Sequence, residues 1–259
     1  MKKLLAAAAI LALTIGASQA GHKDWSQVRI GVEGAYPPFS SMTPDGDLVG
    51  FDIDIAAALC EQMEVECTLV AQDWDGIIPA LLANKYDAII ASMSITEDRK
   101  KKVDFTDRYY NSPAKFVRRK GSGIEITAEG LDGKTVGVQR ATTHDDYLSD
   151  VYADTVEIKR YGTQDEAYLD MKAGRLDLLL ADSVAMDEGF LQVEGNEDFE
   201  FVGPDLADPK WFGEGAGIAI RQDDDELREM FNAAIVAIRE NGVYKSIQDK
   251  YFDFNIYGD

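Results

Sequence analysis

The sequence predicts an α/β fold made of two similarly built lobes with a cleft between them. Three observations lead there. Short apolar strands alternate with helical stretches along most of the chain. An early segment pair is echoed later: Arg29-Ile30-Gly31-Val32-Glu33 by Thr135-Val136-Gly137-Val138-Gln139, and Asp87-Ala88-Ile89-Ile90-Ala91-Ser92 by Asp177-Leu178-Leu179-Leu180-Ala181-Asp182. The final segment offers one strand and one long amphipathic helix with no second half of its own. It must therefore fold back on the first lobe, so that two segments cross between lobes.

Taken in order, residues 1–20 read as a secretory signal. Lys2 and Lys3 are the charged start, an apolar run covers 4–17, and Ser18-Gln19-Ala20 is a small-x-small site for cleavage after Ala20. The run is too short and too Ala-rich for a membrane anchor, and no Cys follows the cut to carry a lipid. Val28, Ile30 and Val32 mark the first strand. Residues 51–63 are helical in period, with Ile53, Ala56, Ala57 and Cys60 on one face. A strand over 67–70, a helix over 77–84 and a buried strand over 88–91 follow. The second lobe opens after Tyr110-Asn111-Ser112-Pro113 and closes near Asp208-Pro209-Lys210. A strand over 217–221 and a helix over 224–239 come last, with Asn241-Gly242 as the helix stop. Largely parallel sheets with right-handed crossovers are expected. In such sheets ligands sit beyond the carboxyl ends of the strands, so the strand ends Glu33, Ser92, Gln139 and Asp182 should meet in one cleft.

Composition removes several function classes. The chain has 259 residues, with 26 basic and 47 acidic side chains and a formal charge of −21. Nucleic acid and anionic lipid are disfavoured, since both need a basic face. The acidity suits a protein that attracts small cations, or one adapted to high salt. Only Cys60 and Cys67 occur, and in an exported chain pairing is favoured. With two histidines in the chain, a His-based metal site is excluded, and no cofactor motif is present.

Each candidate site residue has a functional reading and a bland one. Glu33 either holds a cationic group or is a solvated turn residue. Trp74, at a turn entering a helix, is either a core lid or a stacking face, and with Tyr36 it forms a possible clamp on a planar cation. In Ser92-Met93-Ser94-Ile95-Thr96, Thr96 is a helix N-cap, and Ser92 and Ser94 face the same way on an extended strand. Arg99 either grips a carboxylate in bidentate fashion or makes a surface salt bridge. Ala141-Thr142-Thr143-His144 looks like a helix start whose free amides favour a carboxylate, with His144 at the pocket rim or structural. Asp182 ends a buried run and needs either a protein donor or an ammonium ligand.

With these residues in place, the chain resembles the periplasmic solute-binding proteins of polar amino-acid uptake systems (family 3). It is most similar to the arginine/ornithine and lysine/arginine/ornithine binding proteins. The carriers include Tyr36-Pro37-Pro38-Phe39, Gly50-Phe51-Asp52-Ile53-Asp54-Ile55, Trp74-Asp75-Gly76-Ile77-Ile78-Pro79, Ser92-Met93-Ser94-Ile95-Thr96, Ala173-Gly174-Arg175-Leu176-Asp177 and Lys250-Tyr251-Phe252-Asp253-Phe254. The resemblance implies a two-lobed type II periplasmic binding protein fold. Two hinge segments cross, and the ligand lies in the interlobe cleft. Residues 1–20 would be the signal peptide, 21–111 and 212–259 the first lobe, and 112–211 the second. Arg99 would hold an α-carboxylate with the backbone near Ser94 and Thr143. Asp182 and Ser92 would hold the α-ammonium, and Tyr36 and Trp74 would stack on the side chain. Glu33 would meet the distal cation. Ala91, Met93, Gln139, Thr142 and His144 would complete the wall, and Cys60 and Cys67 would pair.

The implied function is non-enzymatic periplasmic binding of a cationic L-amino acid. Arginine comes first, ornithine and lysine second. The closed form would be delivered to an inner-membrane ABC permease by a monomer with no cofactor and no nucleic-acid partner. Glu33 and Thr142-Thr143-His144 look like the arginine-binding members, while relatives preferring lysine or histidine often carry Asp and Phe at positions 33 and 74. Trp74 also occurs in opine binders, and Ala141 replaces a usual Gly. Histidine or an opine as ligand, a chemoreceptor as partner, and a cyclohexadienyl-dehydratase-like enzyme with Glu33 as acid–base are the alternatives.

Overall fold

The computed structural model describes residues 23–258. The signal and its cleavage site, residues 1–20, lie outside the described residues. Two five-stranded sheets organise the chain. The first runs Glu66–Ala71, Gln27–Val32, Ala88–Ile89, Ala216–Ile220, Asp104–Tyr110. The second runs Glu157–Tyr161, Thr135–Gln139, Leu178–Asp182, Ala114–Arg119, Phe199–Leu206. The echoed segments occupy equivalent places, as the central parallel strands of the two sheets.

The sheets are mixed rather than largely parallel, which corrects the expectation. In each, the first three strands are parallel and the last two join antiparallel. The cause is the double crossing. Ala114–Arg119 enters the second sheet from the first lobe, and Ala216–Ile220 enters the first sheet from the second lobe. Both arrive at the cleft, where the parallel strands end, so both must run away from it: Ala114 pairs with Asp182, and Ile220 with Ala88. A small three-stranded sheet (Ala35–Tyr36, Ser40–Met42, Leu48–Val49) follows the first strand and was not expected.

Helix Phe51–Met63 keeps the bounds its period indicated and lays Phe51, Ile55 and Leu59 into the first core. The Cys60–Cys67 disulfide ties it to the next strand. The return helix, Asp225–Glu240, packs on it through Leu227, Phe231, Ala234, Ile235 and Ile238. Each large side chain so buried contributes roughly 1.5–3 kcal/mol, enough to hold the returning segment without an independent core. A charge network adds direction: Asp87 accepts from Arg29 Nη2 at 2.8 Å and from Arg221 Nη2 at 3.1 Å, and Arg221 Nε donates to buried Asp224 at 2.7 Å. First and last strands of the lobe are thereby pinned to one loop.

Candidate functional site

The strand ends converge. Gln139 Nε2 from the second lobe donates to Glu33 Oε1 of the first at 2.5 Å. Trp74 Nε1 donates to Ala141 O at 3.0 Å, and Arg140 Nε meets Asp75 Oδ2 at 2.5 Å. The lobes are thus closed on each other, and a cavity with two compartments lies between them. Glu33, Trp74, Ala91, Arg99, Gln139 and Thr142 line one. Asp182 lines the other with Tyr110, Ser112, Phe212, Gly215 and Ala216. Tyr36, Ser92, Ser94, Thr143 and His144 face both.

Arg99 sits in the short helix Glu97–Lys100, whose N-cap Thr96 accepts from the Arg99 amide. Its Nη1 donates to Ser94 O at 2.9 Å, and its guanidinium lies 5.3 Å from the centre of the Trp74 ring. It makes no ion pair among the described residues, so the surface-salt-bridge reading falls away. Burial lowers its pKa to about 10, against the pull of Asp146. A buried guanidinium with unused donors is suited to a carboxylate. The start of helix Thr143–Val151 adds free amides. Thr142 caps it, accepting from Asp145 N at 3.2 Å and donating to Gln139 O at 2.8 Å. Ala141 adopts φ 58°, which explains why Gly suits this position.

Asp182 finds protein donors for one of its oxygens. Its Oδ1 accepts from Ser112 Oγ at 3.0 Å, Val184 N at 2.9 Å and Ala185 N at 3.0 Å. No donor among the described residues reaches Oδ2. Burial pushes this carboxyl up to about 6, with those hydrogen bonds pulling the other way. Glu33 is similar: one oxygen takes Gln139, the other has no donor among the described residues, and burial raises it to about 7, helped by Asp165, Asp73 and Asp52. His144 is driven down to about 3 by burial and by Arg99, so it is a neutral wall residue beside Phe212.

Two expectations change. Ser92 is not extended. Its φ is 53°, and its hydroxyl donates to Asp52 Oδ2 at 3.0 Å. Met93 does not reach the cavity: its side chain is buried with Ile77, Ile89 and Val103, because the turn at Ser92 rotates the next residue inward. Its carbonyl accepts from Gly217 N instead. Asp52, Tyr109, Tyr110 and Ser112 belong to the site or its support and were missed. An acid on the buried face of a helix, Asp52 in Phe51-Asp52-Ile53, was the one available signal. Among the described residues, no His, Cys, Asp and Glu cluster could hold a metal ion.

Residues 28–254 match the bacterial extracellular solute-binding proteins, family 3. The chain is 54% identical over 232 residues to an L-arginine-binding protein of Pseudomonas aeruginosa, covering 89% of this chain and 90% of the relative. It is 43% identical over 259 residues to the lysine/arginine/ornithine-binding periplasmic protein of Escherichia coli, covering 100% and 99%. Among solved structures, an ancestral arginine-binding protein bound to arginine superposes with a TM-score of 0.81 at 36% identity, over 88% of this chain and 98% of that one.

Proposed function

The chain belongs to the bacterial extracellular solute-binding proteins of family 3, and we propose that it captures L-arginine in the periplasm and presents it to an ABC import permease. The observation that carries this reading is the charge inventory of the cavity. Arg99 is one cation without a carboxylate partner among the described residues. Glu33 and Asp182 are two carboxylates, each with an oxygen that no donor among the described residues reaches. The three together carry −1 when ionised, which complements an amino acid of net charge +1. Arg99 and the amides at Thr143 take the α-carboxylate. Asp182 Oδ2 and Ser92 take the α-ammonium. Glu33 takes the guanidinium, and Trp74 and Tyr36 flank its stem. Ornithine and lysine fit the charges but leave part of the distal site unmatched, so they rank second.

Export uses residues 1–20, with cleavage after Ala20. The lobes divide at 21–111, 112–211 and 212–259, and the mature monomer docks on the permease when closed. Calorimetric titration of refolded, ligand-free protein tests the reading. Arginine should bind at ~1 µM or tighter, ornithine and lysine more weakly, and glutamate should give no heat. Silence from arginine would remove the reading and direct the search to histidine, octopine and cyclic amino acids.

A further inference from the structure

Behind the ammonium end of the cavity lies a carboxylate that does not line it. Asp52 is 0% exposed. Its Oδ2 accepts from Ser92 Oγ at 3.0 Å, and its Oδ1 accepts from Tyr109 Oη at 2.9 Å. Tyr109 Oη in turn accepts from Ser92 N at 3.1 Å. Ser92 is therefore gripped at two points, by its amide and by its hydroxyl, which holds it in its left-handed conformation. Ser92 itself faces both compartments of the cavity.

A hydroxyl has one proton to donate. The Ser92 proton is committed to Asp52, away from the ligand. The Tyr109 proton is committed to the same carboxylate. What Ser92 Oγ offers the cavity is therefore lone pairs only. An ammonium, which donates three hydrogens and accepts none, finds an acceptor there. A carboxylate or carbonyl finds no donor. Burial pushes the Asp52 carboxyl up to about 7, against the hydrogen bonds from Tyr109 and Ser92, and in its ionised form its charge reinforces the same preference through the low-dielectric wall.

We propose that Asp52 is a positioning residue for the ammonium subsite, fixing Ser92 as an acceptor so that the site selects α-amino ligands over their des-amino analogues. This rests on the arginine reading above. An Asn at position 52 keeps the shape but turns one oxygen into a donor. It can then donate to Ser92 Oγ and free the Ser92 proton to point at the ligand.

The test compares L-arginine with 5-guanidinopentanoate, which lacks only the α-amine, by titration and displacement. In Asp52→Asn, arginine affinity should fall ~30-fold and that of 5-guanidinopentanoate at most ~3-fold, contracting the preference ~10-fold, as expected for a hydrogen bond to a charged group. Ser92→Ala should contract it similarly. Adding Asp52→Asn to Ser92→Ala should cost arginine little more, less than ~3-fold. Equal losses for both ligands in Asp52→Asn, or its full effect persisting in the Ser92→Ala background, would overturn the proposal. Should Asp52→Asn fail to fold, Ser92→Ala alone decides: an uncontracted preference overturns it. Wild-type protein that binds no arginine would remove the functional reading as well, whereas normal arginine binding with an unchanged preference in the variants removes this proposal alone.

Discussion

Gln139 reaches across the cleft to Glu33, its amide 2.5 Å from the carboxylate of the opposite lobe. The contact satisfies one oxygen of Glu33 and leaves the other facing a closed cavity. Closure without a cation therefore traps a carboxyl that burial raises to about 7. Opening the cleft would return the same group to water and its pKa toward the ordinary carboxylate range. A group whose pKa rises on closing takes up a proton on closing. Ligand-free closure is accordingly favoured as pH falls through about 7 and lost above it. Asp182, raised to about 6, acts in the same direction at lower pH, while His144, driven from 6.5 down to about 3 by burial and Arg99, gives up a proton on closing and partly offsets them below about 6.5. Interlobe energy transfer on ligand-free protein should show a larger closed fraction at pH 5.5 than at pH 8, by up to ~10-fold per unit for one proton. Glu33→Gln should be closed more often at pH 8 and respond less to pH. A closed fraction that rises with pH would contradict the assignment.

The disulfide makes a separable prediction. Cys60 and Cys67 are seven residues apart and join helix Phe51–Met63 to strand Glu66–Ala71, remote from the cavity lining. Closing so short a loop contributes about 2–3 kcal/mol by restricting the unfolded chain. The Cys60→Ala/Cys67→Ala protein should melt ~5–10 °C lower in scanning calorimetry. Its arginine affinity should match wild type within ~2-fold, because the linkage constrains the unfolded state and not the cleft.

Much of the site was legible because it lies at strand ends that local patterns define. Glu33, Gln139 and Asp182 each follow a short apolar run, and the echo between the two runs placed them together. What was not legible depends on long-range placement. Tyr109 supports Ser92 from the crossing strand Asp104–Tyr110, whose burial does not alternate, so no period marks it as a strand. The φ of 53° at Ser92 is imposed by that tyrosine and by Asp52, which is forty residues away in sequence. Met93 was misplaced for the same reason, since side-chain alternation holds only while the backbone is extended. The antiparallel strands escaped notice because direction within a sheet follows from where the chain re-enters it, and sequence period is blind to direction.

Asp75 and Arg140 form an ion pair across the cleft rim, with side chains 38% and 50% exposed. At that exposure the pair contributes at most about 1 kcal/mol. Neither side chain lines the cavity and the pair joins opposite lobes, so it should act on every ligand equally. Arg140→Gln should weaken arginine and ornithine binding by the same ~2–5-fold, mainly through faster dissociation in stopped-flow traces. High salt should reproduce the effect in wild type and add little in the variant. A changed ratio between the two ligands would show that Arg140 acts inside the cavity.

On another part of the interface the lobes meet without charge. Gly189, in the π-helical turn Asp187–Leu191 of the second lobe, faces Pro37 of the first. A Cβ built there lies 3.3 Å from Pro37 O and 3.4 Å from Pro37 Cγ and from Tyr168 Cε2. Tyr168 belongs to the same lobe, held by Phe190 and by Ala185 O, so its contact with the methyl is the same in the open and closed states. Pro37 approaches only on closure, and its contact is with backbone that cannot swing aside. Gly189→Ala should therefore lower affinity ~3–10-fold for arginine and ornithine alike, and Gly189→Val more, by wedging the closed state open. Small-angle scattering should show the liganded Val variant less compact than liganded wild type. The fold itself should not suffer: replacing a helical Gly with Ala adds up to about 1 kcal/mol of helix propensity. The signature is a melting temperature that holds or rises in ligand-free protein while affinity falls. A loss of both together would mean that the methyl disturbs the second lobe's own packing around Tyr168, and the close approach to Pro37 would then not limit closure.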